Sequence, residues 1–178
     1  MSHRRVFSLV LAALVFAAAA IVSGAMSNMK TIEATVALRT PAGILWRAIT
    51  DHEALPHHVS MLREVKVLEK KEEGVGMIRQ CTVNSGRSFH EKITVWEEGH
   101  RYCYQPNVDE APFPFRWAEA CWSITQNREG SSLTYRLQYK PRSRLKDLIN
   151  YPVLRTYGVW QIKEMLRSFD LSKLPFLG

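Results

Sequence analysis

Three of the six histidines, His52, His57 and His58, fall in the stretch DHEALPHHVSML (51–62), beside Asp51 and Pro56. Zinc would require several ligands converging in space. Adjacent His57 and His58 point apart, and Asp51 suits a turn or a helix end better than a metal shell. The reading is therefore solvated loop histidines and no metal. A second candidate is Glu91. The stretch RSFHEKITVW alternates two sets, Phe89, Glu91, Ile93, Val95 and His90, Lys92, Thr94, Trp96. The first is the apolar set, so Glu91 is expected on the inner face. A carboxylate among apolar groups holds its proton more tightly and can act as a general acid or base. Arg79, Arg101 or Glu119 on neighbouring strands could instead pair with it, as a structural or ligand-orienting group. No Ser-His-Asp or Cys-His arrangement, phosphate loop or metal signature accompanies it. An enzyme using Glu91 is thus the secondary reading.

Cys81, Cys103 and Cys121 match no zinc spacing. Buried thiols are the expectation, with one disulfide and one leftover thiol as the alternative in an exported chain.

These side chains must be positioned by the surrounding elements. TIEATVALRT (31–40) alternates as a half-buried strand. A helix follows with Thr40 as its N-cap and Pro41 in its first turn. Pro56 interrupts, so a short second helix or turn is expected over 57–62. From Arg63 the period changes to that of about six short strands separated by turns, most of them glycine-bearing, an antiparallel meander. In its last strand Leu133, Tyr135, Leu137 and Tyr139 share one face, and Thr134, Arg136 and Gln138 the other. The carboxy-terminal part is helical, and Pro152 is expected to kink it or start a new helix. Val153, Leu154, Tyr157, Trp160, Ile162, Met165, Leu166 and Phe169 form its apolar face. Gly158 within it reads either as close packing on the sheet or as space for a guest.

The leading residues His3, Arg4 and Arg5 are basic, and Val6 to Ala25 carry no charge. This is the pattern of a signal peptide with small residues Ser23 and Ala25 before a cleavage, or of an uncleaved membrane anchor. Either places the remaining chain outside the cytoplasmic membrane. The net charge of +7 is compatible with an anionic membrane surface as partner. Export argues against nucleic acid.

The chain resembles the START-like superfamily, also called SRPBCC or birch-pollen-allergen-like, and within it the polyketide cyclase/dehydrase and lipid-transport group. The resemblance is carried by TPAGILWRAITDHEALPHHVSMLREVKVLE, GRSFHEKITVWEEGHRYCYQ and GSSLTYRLQYKPR, including Trp46, Asp51, Pro56 and the Trp96-Glu97-Glu98-Gly99 turn. It implies an α+β helix-grip fold. A curved antiparallel sheet of six to seven strands would wrap a long carboxy-terminal helix, with a small helical hairpin after the first strand. The chain departs from the family at His57 and His58, which replace an aromatic residue, and in the longer loop NVDEAPFPF.

The domains expected are a signal peptide or anchor at 1–25 and a START-like ligand-binding domain at 30–170. The function implied is binding or carrying a hydrophobic small molecule (a lipid, quinone or polyketide-like compound) between sheet and helix, with no cofactor. The alternatives are a cyclase or aromatase and a ligand-free interaction module. The expected lining is Phe89, Glu91, Ile93, Tyr104, Trp122, Tyr135, Tyr139, Tyr157 and Trp160. The basic residues Arg142, Arg144, Lys146 and Arg155 are expected to touch anionic lipid, with the loop APFPF dipping in.

Overall fold

A computed structural model describes residues 29–71 and 74–171. The expected leader at 1–25 lies outside the described residues, as do the side chains at 144–150, 153 and 154. Among the described residues no helix is long and apolar enough to cross a membrane.

Strand β1 (Lys30–Leu38) leads into helix α1 (Ala42–Thr50) and a short 3-10 helix, His52–His57. Six more strands follow: β2 (Leu62–Glu69), β3 (Ile78–Val83), β4 (Ser88–Glu97), β5 (Arg101–Pro106), β6 (Phe115–Asn127) and β7 (Gly130–Pro141). Helix α2 (Arg144–Arg167) closes the fold. The strands form one antiparallel sheet in the order β1-β7-β6-β5-β4-β3-β2. The first strand thus joins the last, and the meander runs outward from that seam. This is a helix-grip α+β architecture, with α2 packed across β1 and β7 on the inner face.

The register decides which side chains meet. Arg79 lies opposite Glu91 on β3 and β4, Ile93 opposite Tyr104, Trp122 opposite Tyr135, and Ala34 opposite Tyr135. On β7 the alternation holds. Leu133 and Tyr139 are buried, while Thr134 shares a hydroxyl hydrogen bond with Thr35 across the outer face.

Three local expectations are corrected. Strand β4 carries a bulge between Ile93 and Val95. An extra residue reverses the inside–outside alternation beyond it, so Trp96, expected on the outer set, turns into the core. It packs edge-on against Trp46 at 5.2 Å and tilts against Tyr102. The Glu98 carboxylate accepts both indole N–H groups, each at 2.8 Å. Thr40 is not the N-cap of α1. That position is Pro41 and makes no side-chain cap. The Thr40 hydroxyl instead donates to the Phe169 carbonyl (3.1 Å) and accepts from the Leu171 N–H (2.9 Å). Pro152 does not divide the last helix, which runs unbroken through it. An exposed proline forfeits one backbone hydrogen bond, and the remaining turns of so long a helix absorb that loss.

Candidate functional site

Helix α2 does not close fully onto the sheet. Between them lies a cavity of about 580 Å³, within the usual range for small-molecule sites. Its wall is largely apolar, with Ile32, Leu55, Val59, Phe113, Leu137 and Met165 among its contributors. Four lining residues with exposed surface, Ser60, Met61, Tyr157 and Gln161, flank its mouth.

Seven of the nine residues expected from the sequence line this cavity: Phe89, Glu91, Tyr104, Trp122, Tyr135, Tyr139 and Tyr157. Two do not. Ile93 has no exposed surface and belongs to the packed core. The bulge begins immediately after it. Trp160 is 55% exposed and rests on Tyr157 on the outer side of α2. The helical turn carries it about 100° per residue around the axis, away from the wall that Gly158 and Gln161 line. Gly158 lines the cavity while its backbone sits directly over Ile32, so close packing and guest space coincide there.

The polar part of the wall is compact. Arg79 donates from Nε (2.8 Å) and Nη2 (2.7 Å) to a single oxygen of Glu91, Oε2. Both residues are nearly sealed, at 2% and 7% exposure. The Arg79 Nη1 donates to His52 Nδ1 at 2.6 Å, and the guanidinium lies over the Tyr104 ring at 4.6 Å. Cys81 donates its thiol hydrogen to the same Glu91 oxygen at 3.3 Å. Beside them the Tyr104 and Tyr135 hydroxyls share a hydrogen bond of 3.1 Å. Burial pushes the Cys81 thiol well up, and the Glu91 charge adds to this. Burial also raises the Tyr135 phenol to about 12. These groups therefore remain neutral around one internal ion pair.

His52 is the residue that sequence reasoning misplaced. It is buried, not solvated, and forms the far end of the Arg79 network. Burial, then the adjacent Arg79 charge, lowers its pKa from 6.5 to about 3. A neutral imidazole with its lone pair on Nδ1 follows, the proton sitting on Nε2. A signal was present: Asp51 caps the 3-10 helix by accepting from the Ala54 N–H, which turns the next residue inward. His58 is also partly enclosed. Its ring stacks on Phe169 at 3.9 Å, and burial lowers its pKa. His57 alone stays exposed. Among the described residues no group of three or more His, Cys, Asp or Glu side chains is arranged to hold a metal ion.

Cys103 and Cys121, cross-strand partners on β5 and β6, form a disulfide. Cys81 is the buried free thiol. The expectation of three thiols is corrected: antiparallel pairing sets the two cysteines directly opposite, with Cα atoms 4.1 Å apart, a relation invisible in their spacing. The loop APFPF is likewise corrected. Phe113 packs edge-on against Phe89, and Phe115 tilts against Tyr139, so both rings face the cavity. Arg142, expected to face lipid, donates to the Phe115 and Val108 carbonyls and to Asp109, clamping this loop.

A grip-shaped sheet around a hollow, with a few polar groups in an apolar wall, defines a START-like protein. The chain belongs to the polyketide cyclase / dehydrase and lipid transport family, which it matches over residues 29–170. Solved structures of similar fold include the Zhui aromatase/cyclase from Streptomyces sp. R1128, at 12% identity and a TM-score of 0.63, covering 83% of this chain and 98% of that one. The two-domain aromatase/cyclase StfQ of the steffimycin biosynthetic pathway matches at 13% identity and a TM-score of 0.63, covering 80% of this chain and 49% of StfQ. This chain thus spans about half of StfQ. Ara h 8.0201 matches at 15% identity and a TM-score of 0.58, covering 82% and 99% of the two chains. No curated protein sequence matches the chain significantly.

Proposed function

We propose that this protein binds or carries a hydrophobic small molecule, a lipid, quinone or polyketide-like compound, in the cavity between sheet and α2. The observation that carries this reading is the cavity itself, large, mostly apolar and open at one side. Burying roughly 300 Å² of apolar ligand at about 25 cal/mol per Å² supplies about 7 kcal/mol before entropic losses. Micromolar affinity needs no catalytic machinery. Native mass spectrometry of freshly purified protein, followed by solvent extraction, tests it. A bound apolar mass is expected, and a bare protein that also takes up no apolar dye would end the reading.

The location proposed is at or outside the cytoplasmic membrane. The uncharged run Val6 to Ala25 supports it. So does the Cys103–Cys121 disulfide, since such bonds persist in oxidising compartments.

A second reading, a cyclase or aromatase, is favoured by one observation: the Glu91 carboxylate lines the cavity. The similarity in fold to the aromatase/cyclases Zhui and StfQ agrees with it. Turnover abolished in Glu91→Gln with ligand binding intact would support it.

A further inference from the structure

We infer that the cavity selects a neutral apolar guest that carries a hydrogen-bond donor, a hydroxyl above all, and rejects anionic guests such as carboxylates. This rests on the carrier reading and narrows it.

The two oxygens of Glu91 are used unequally. Oε2 accepts from Arg79 Nε, Arg79 Nη2 and the Cys81 thiol. Oε1 accepts from no described residue. Among the described residues the only sealed side-chain polar atoms without a partner are His52 Nε2 and Trp122 Nε1. Oε1 is therefore not sealed, and the surface next to this buried carboxylate is the cavity it lines. An ionised carboxylate can only accept. Left facing an apolar chamber, it is stabilised by a guest that donates.

The positive charge is not available in the same way. Arg79 also lines the cavity, but each of its three nitrogens already donates, to Glu91 or to His52, its charge is countered by Glu91, and its face is covered by the Tyr104 ring; one hydrogen on each Nη is left over. An anionic guest that reached the remaining Nη hydrogens would still meet the open oxygen of Glu91 with like charge, in surroundings too apolar to screen it. The tyrosine pair supplies the complementary function. When one of the Tyr104 and Tyr135 hydroxyls donates to the other, one hydroxyl hydrogen is left over. It can reach a guest oxygen. The wall thus asks for one hydrogen bond given to Glu91 and one taken from the tyrosines. A phenol or an alcohol bearing a second oxygen meets both demands, while the carboxylate of a fatty acid can accept from the tyrosines but has no hydrogen to give Glu91.

Three matched fluorescent probes test this at pH 7.5: anthracen-2-ol, 2-methoxyanthracene and anthracene-2-carboxylate. The alcohol is expected to bind at least about tenfold more tightly than the ether, the effect of a hydrogen bond to a charged acceptor, and the carboxylate most weakly. In Glu91→Gln the carboxylate is expected to gain at least about tenfold, because Arg79 loses its counter-charge. That substitution strands a buried charge. The paired variant Arg79→Met/Glu91→Leu keeps the wall apolar if the single one fails to fold, and in it alcohol and ether should bind within about threefold. A wild-type protein that binds the carboxylate as tightly as the alcohol, or the ether as tightly as the alcohol, overturns the selectivity and leaves the carrier reading standing. Binding of none of the three overturns the carrier reading, and this inference with it.

Discussion

His52 shows how one buried side chain ties stability to pH. The unfolded chain takes up a proton on this histidine below about 6.5, whereas the folded protein resists it until about 3. Between those values the unfolded state binds more protons, so stability falls as pH falls. Urea denaturation from pH 7 to pH 4 should show wild type losing about 1.4 kcal/mol per pH unit more than His52→Gln across the lower part of this range. Glutamine retains an acceptor for Arg79 but does not titrate, so parallel pH profiles would refute the assignment. The Arg79–Glu91 pair makes a second prediction. Arg79→Ala leaves a buried carboxylate without its counter-charge and should cost about 3–5 kcal/mol. Arg79→Met/Glu91→Leu, which removes both charges, should cost less. Urea midpoints decide it, and equal losses would mean that the pair contributes net attraction beyond mutual neutralisation.

At the scale of elements, the strands and both helices were legible because their hydrophobic periods are regular. What escaped were single-residue irregularities and long-range partners. The β4 bulge moves Trp96 from the expected outer face to the core, and nothing in the alternation of RSFHEKITVW announces it. Thr40 sits where a helix cap belongs, yet its partners are about 130 residues away in sequence. Turn glycines show a similar split between local and distant causes. Gly86 and Gly130 both have positive φ, but a Cβ on Gly86 would meet nothing, and one on Gly130 would lie 2.2 Å from the Leu38 carbonyl oxygen. Gly86→Ala should therefore cost about 1 kcal/mol, from backbone strain alone. Gly130→Ala should cost roughly 3 kcal/mol or more, because two backbones must separate. Thermal melts of the two variants give the comparison. Helix α2 carries a further expectation. Tyr157 and Trp160, 58% and 55% exposed, pair their rings at 5.8 Å on α2, an arrangement suited to the interface of a lipid surface. Co-sedimentation with anionic vesicles should drop in Tyr157→Ser/Trp160→Ser, and an unchanged bound fraction would remove membrane contact by this face.

For the whole molecule, the site was legible where sheet alternation and the family pattern coincide, which is why Phe89, Glu91, Tyr104 and Trp122 fall on the cavity wall. Of the lining residues not foreseen, Val59 to Met61 and Phe113 come from segments without a period, whereas Ile32, Arg79, Leu137, Ile162 and Met165 sit on regular elements, where alternation does not separate cavity wall from packed core. Their positions depend on closure of the whole sheet. The Cys103–Cys121 link belongs to this scale too. It spans 18 residues of sequence, including the loop that covers one end of the cavity. Restricting that loop in the unfolded chain is worth about 3 kcal/mol in the chain-entropy view. Reduction, or Cys103→Ser/Cys121→Ser, should lower the urea midpoint accordingly, while Cys81→Ser should leave any response to reductant intact.

The latch at Thr40 has a mechanical consequence. It rivets the end of α2 to the corner after β1, where Leu166 and Phe169 are wholly enclosed. Toward the other end Tyr151 receives the Lys30 ammonium over its ring at 4.6 Å, and between these anchors Gly158 faces Ile32 without a side chain of its own. A rod held at both ends bows in between, so a bulkier guest gains room as the stretch around Gly158 bends outward from a pivot near Phe169. Loosening that pivot with Thr40→Val would change how quickly guests come and go before it changes how tightly they sit.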